Sequence, residues 1–120
     1  MNKIVLSLVL LVAAGPGFSQ TSVPAADAGK HVGETITVCD KVFGGRFLEN
    51  ANGQPTLINM GDAYPNNPFT FVIFGENRKK FSYVPEEFLL NKQVCVTGEI
   101  KTYKDKPQII VADSTQLKIK

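Results

Sequence analysis

The sequence predicts an all-β fold, a small β-barrel of five strands with one short helix between the third and the fourth. Three observations lead there. Short runs rich in Val, Ile, Thr and Phe recur between clusters of Gly, Asn, Asp and Pro. One segment, around Pro85, carries helix-start chemistry. The strands come as a run with that helix inserted, which excludes an alternating parallel α/β design.

The chain of 120 residues opens with Lys3, an apolar run from Ile4 to Ala14 broken only by Ser7, and then Gly15, Pro16 and Gly17. The run falls short of the roughly 20 apolar residues that span a bilayer. It reads as a secretory signal peptide over residues 1–19, with Gly17 and Ser19 as small residues before a cut at Gln20. No stable membrane anchor is expected, and the compartment is periplasmic or extracellular. Removing Lys3 leaves 12 basic residues against 11 acidic ones, too even for a dedicated duplex-DNA binder. Residues 20–30 are small and polar and read as a flexible leader. The folded domain is expected over 31–120.

The first strand is "GETITVCDKV" (33–42). Ile36, Val38 and Val42 alternate with Thr35, Thr37, Cys39 and Lys41, the period of a half-buried strand. "FGGRFLENANGQP" follows as a loop or a bulged bend. "TLINM" (56–60) is the second strand, and "GDAYPNNP" is dense in turn residues. "FTFVIFG" (69–75) is apolar on both faces and reads as a central or covered strand. "ENRKK" reads as a polar turn. "VPEEFLLNK" (84–92) is the helix: Pro85 suits its first position, and Glu86 and Glu87 favour its positive end. "KQVCVTGEIKTY" (92–103) and "PQIIVA" (107–112) are the fourth and fifth strands. "DSTQLKIK" is a short extension anchored by Leu117 and Ile119.

Five strands, a helix after the third and about 90 residues describe an OB-fold, a five-stranded Greek-key barrel. "VCVTGEIKTYKDKPQIIVADSTQLKI" resembles the C-terminal hairpin of OB-fold nucleic-acid-binding domains of the tRNA-anticodon-binding type. "PTLINMGDAYPNNPFTFVI" resembles the middle strands of small secreted bacterial OB-fold proteins. The resemblance covers residues 31–119. It implies a binding module for oligonucleotides, oligosaccharides or proteins.

In such a barrel the first and fourth strands are antiparallel neighbours. Cys39 and Cys95, the two cysteines, then sit outward on adjacent strands, about 5.5 Å apart and within disulfide range. Redox motifs place cysteines two residues apart, and a metal site needs more ligands than His31, the one histidine, can add. A structural disulfide is the expectation, with no metal or cofactor.

No catalytic constellation is legible, so no enzyme activity is expected. The candidate ligand contacts are Arg46 and Phe47 in the loop after the first strand, Tyr64 after the second, and Tyr103, Lys104 and Lys106 in the hairpin loop. Aromatic rings stack bases and cations hold phosphates. A hairpin tip is also charged simply to stay soluble, and "KTYKDK" admits both readings. Asn59 is the unusual residue of its strand: a turn former bonded near Gly61, or a ligand contact. Phe69, Phe71 and Phe74 read as core. Single-stranded nucleic acid or another extended polymer such as an oligosaccharide is the expected partner. The alternative is a protein-interaction or envelope-stress module.

Overall fold

The computed structural model describes residues 22–120. The segment read as a signal peptide, and its cut before Gln20, lie outside them. Among the described residues there are eight strands: β1 (Ser22–Val23), β2 (Thr35–Phe47), β3 (Thr56–Met60), β4 (Phe69–Ile73), β5 (Gln93–Glu99), β6 (Lys101–Tyr103), β7 (Lys106–Ile110) and β8 (Leu117–Ile119). Two short helices, α1 (Gly75–Arg78) and α2 (Pro85–Phe88), lie between β4 and β5. The fold is all-β with small helices.

The strands hydrogen-bond in the order β6-β7-β4-β3-β2-β5-β8, and β1 lies parallel to β2. The β4–β7 pair is parallel; the β2–β3, β3–β4, β2–β5, β5–β8 and β6–β7 pairs are antiparallel. The stretch read as one fourth strand is divided. Its first part, β5, pairs with β2, and after Ile100 its second part, β6, pairs with β7. At this bend Gly98 has no room for a side chain: a Cβ would come within 2.6 Å of Ile109 Cγ2.

The alternation read in β2 holds. Ile36, Val38 and Val42 face a core shared with Ile58, Met60, Phe69, Phe71, Ile73, Val94, Val96, Ile100 and Ile109, all nearly or fully buried. Cys39 and Cys95 are register partners, joined by a disulfide across a Cα separation of 4.0 Å. That is nearer the close, non-hydrogen-bonded spacing of facing antiparallel residues than the 5.5 Å of the expectation. Thr37 and Thr97, two residues along on the same face, meet hydroxyl to hydroxyl at 2.7 Å.

Three expectations are corrected. Of the stretch 20–30 read as a flexible leader, residues 22–30 are described, and they are not loose. Ser22–Val23 pairs with β2, and Ala25–His31 is a 3-10 turn whose Ala25 and Ala28 are fully buried. Asp40 holds it by accepting from the Ala25 N–H at 2.9 Å. The first strand does not end at Val42 but runs on to Phe47, with a bulge between Val42 and Gly44. The C-terminal extension is anchored by Leu117, while Ile119 is 44% exposed. Gln116 does the rest: it closes a capping box with Asp113 and donates to the carbonyls of Thr97 and Ile110.

The helical segments also differ from the expectation. "ENRKK" is not only a turn, because Gly75–Arg78 is helical, and the 84–92 helix contracts to Pro85–Phe88. Arg78 joins them. Its guanidinium donates to both carboxylate oxygens of Glu86, at 2.7 and 3.2 Å, and to Thr56 Oγ1 at 2.7 Å.

Candidate nucleic-acid interface

Period two places Leu57 and Asn59 of β3 on the face opposite the core. The registers extend that face. Asn59 lies opposite Thr70 on β4, Thr70 beside Gln108 on β7, and Gln108 opposite Lys101 on β6. A polar rung therefore crosses four strands. Next to it runs an apolar rung of Leu57, Val72 and Ile110.

Over this face lies a groove of about 510 Å³. Asn59, Thr70 and Gln108 form its polar floor, with Leu57 and Leu48 beside them. One wall is the β3–β4 loop, with Tyr64, Pro65 and Asn67. The other is the β6–β7 hairpin, with Tyr103, Lys104, Lys106 and Pro107. The lining contains two tyrosines, two lysines and four amide or hydroxyl side chains, and no carboxylate.

The hairpin explains its own tip. Tyr103 pairs with Lys106, leaving Lys104 and Asp105 as a two-residue turn, both with positive φ (51° and 66°). That is the mirror-image turn that suits strand twist. It leaves Tyr103 61% exposed, with Lys104 Nζ 5.5 Å from its ring centre. On the β3–β4 loop Tyr64 is 75% exposed and precedes a cis peptide to Pro65.

Five of the seven sequence candidates thus share one groove: Asn59, Tyr64, Tyr103, Lys104 and Lys106. Asn59 is not held by a turn at Gly61, whose N–H bonds to the Lys41 carbonyl. Lys106 differs in role from the expectation. Its ammonium donates to the carbonyls of Pro65 at 2.7 Å and Asn67 at 2.9 Å, bracing one wall against the other.

Arg46 and Phe47 do not line the groove and do not belong to a loop; both are on β2. Phe47 is occupied by the Arg78 guanidinium, 3.8 Å from its ring centre. It therefore belongs with Thr56 and Glu86 to the packing of the helices, not to a stacking surface. Burial raises the Glu86 carboxyl, but hydrogen bonds from Arg78 and its own backbone, with the Arg78 charge, hold it below the usual range.

Asn67 was not singled out in the sequence. It is 2% exposed, and its amide donates to the Phe69 carbonyl at 3.1 Å and to Thr70 Oγ1 at 2.8 Å. It pins the loop to the floor strand. The turn-rich run "GDAYPNNP" signals a loop but not which asparagine turns inward.

Among the described residues no three His, Cys, Asp or Glu side chains cluster in a way that could hold a metal ion. No helix among them is long and apolar enough to cross a membrane. No family model matches the chain, and no curated protein matches it. Among solved structures, the crystal structure of a protein described as an aspartyl-tRNA synthetase from Leishmania major Friedlin is similar, with a TM-score of 0.53 at 13% identity. The match covers 92% of this chain and 23% of that one, so the chain spans about a quarter of the other's length and shares with it a fold.

Proposed function

We propose that this chain is an exported, non-catalytic binding module of OB type that takes single-stranded nucleic acid into the groove between Tyr64 and Tyr103. The observation that carries the reading is the lining itself. Two exposed rings, the Lys104 cation and an amide floor with no carboxylate supply what a strand of bases and phosphates requires. A duplex binder would need a broader basic surface than this near-neutral chain offers.

The OB assignment draws on the pairing. β2, β3, β4, β5 with β6, and β7 stand for the five strands, and the parallel β4–β7 pair and the split fourth strand suit that topology. The fold likeness to part of a tRNA synthetase structure agrees with it. Export draws on the apolar N-terminal run and on the disulfide, which persists in oxidising compartments.

The test is titration of a fluorescently labelled single-stranded octanucleotide at two salt concentrations. Saturable binding that weakens with salt is expected, in the micromolar range or weaker. A neutral oligosaccharide titrated in parallel separates the two kinds of extended polymer. Absence of nucleic-acid binding at low salt refutes the reading. Mass measurement of the mature protein from the cell envelope or medium tests export, the expected N-terminus being Gln20.

A further inference from the structure

Arg46 is the cation that the groove leaves out, yet it is placed beside it. Residues directly opposite in an antiparallel pair share a face. Arg46 lies opposite Leu57, and Gly44 lies opposite Asn59, both of which line the groove. We propose that the ligand track continues onto β2, where Gly44 forms open floor for a further nucleotide and Arg46 holds its phosphate. This rests on the single-strand reading above and extends its footprint.

Two adjacent glycines on β2 make the argument. At Gly45 a Cβ would come within 2.7 Å of the Leu57 carbonyl oxygen and 2.8 Å of Ile58 Cδ1, so packing demands glycine. At Gly44 a Cβ would meet nothing within 4 Å, and its φ is not in the left-handed region. Neither packing nor backbone requires glycine there. A glycine inside a strand weakens it and marks either a bulge or the close approach of another molecule. The bulge here lodges its extra residue at Phe43, between Val42 and Gly44. What the missing side chain does is leave the outer face flat beside Asn59.

Arg46 completes the subsite. It is exposed, and its side chain makes no ion pair or hydrogen bond with the described residues. Its guanidinium is therefore free for a phosphate, which it can hold through two parallel N–H bonds. From Lys101 on β6 to Gly44 on β2 the rung crosses four strand spacings, about 19 Å. That matches a site on the order of four nucleotides, the short end for an OB barrel.

The test compares a trinucleotide with an octanucleotide on the wild type, Gly44→Val and Arg46→Gln. Circular dichroism and melting temperature confirm that the variants fold. Gly44→Val is expected to weaken octamer binding about tenfold and to leave the trimer unchanged. Arg46→Gln is expected to lower the salt slope for the octamer by about 0.7, the value of one phosphate contact on a single strand, and not for the trimer. If both folded variants bind the octamer like the wild type while Tyr103→Ala does not, the track ends at β3 and the groove reading stands. If the wild type binds neither oligonucleotide, the groove reading falls and the extension with it.

Discussion

Lys106 Nζ donates to the Pro65 carbonyl at 2.7 Å, and through this bond the hairpin holds the opposite wall of the groove. A second bond to the Asn67 carbonyl at 2.9 Å fixes the same loop two residues on. The charge that the sequence offers to a ligand is thus spent on two backbone oxygens. Its contribution to binding is to tie the loop that carries Tyr64 to the hairpin that carries Tyr103.

This separates Lys106 from Lys104 by experiment. Lys106→Met should lower stability by about 1 kcal/mol and raise amide exchange in residues 61–68. It should weaken oligonucleotide binding without altering its salt dependence. Lys104→Met should leave the loop's exchange unchanged and lower the salt slope by about 0.7. Equal slope changes in both variants would make Lys106 a direct phosphate contact.

Arg78 and Glu86 give a pH prediction. Glu86 has its folded pKa held below the usual carboxylate range, so it binds a proton more weakly folded than unfolded. Its stabilising contribution is therefore complete above the unfolded carboxylate value and is lost as pH falls toward and through the depressed folded one. Glu86→Gln should cost about 1.5–3 kcal/mol near neutrality, the scale of a hydrogen bond to a charged group. The melting-temperature gap between wild type and variant should narrow as pH is lowered from 7 to 3. A gap that stays constant would mean that Glu86 acts by packing alone.

The strands were legible because their signal is local. In β2 the alternation of Ile36, Val38 and Val42 fixes which face is buried, and the outward position of Cys39 follows from it. What was misread depends on distant partners. Gly44 and Gly45 read as part of a loop or a bulged bend, but they lie within β2, and Gly45 is there because α2 and β3 press against it. Ala25 and Ala28 looked like leader residues because small side chains carry no periodic apolar signal. They are buried because Asp40, fifteen residues from Ala25, draws the turn onto the sheet. Arg78 looked like a solvated turn residue because its partners Phe47, Thr56 and Glu86 lie at no local helical spacing. In the groove, residue types alone suggested Tyr64, Tyr103 and Asn59, and tertiary pairing brought them together.

The disulfide spans 56 positions in sequence. Closing a loop of that size stabilises by about 4 kcal/mol in the chain-entropy model. Replacing both cysteines by alanine should lower the melting temperature on the order of 15 °C or more. Differential scanning calorimetry measures this directly, and intact mass should show two hydrogens lost in the oxidised wild type. A drop of only a few degrees would show that the β2–β5 ladder holds without the bond.

Tyr103 decides whether the hairpin tip is a contact or a solubilising end. Its ring is 61% exposed, and the exposed Tyr64 lines the same groove, so a base entering it has two aromatic rings within its lining. Removing one stacking ring costs about 1–3 kcal/mol per base, a five- to more than hundredfold loss of affinity. Tyr103→Ala should show this loss at both salt concentrations with the salt slope unchanged, since the ring carries no charge. Tyr103→Phe should retain most of the affinity, because stacking uses the ring and not the hydroxyl. Tyr103→Leu, matched in bulk but without a π face, should behave like the alanine variant. If leucine binds as tightly as phenylalanine, the tip offers only apolar cover, and the stacking argument for the groove fails with it.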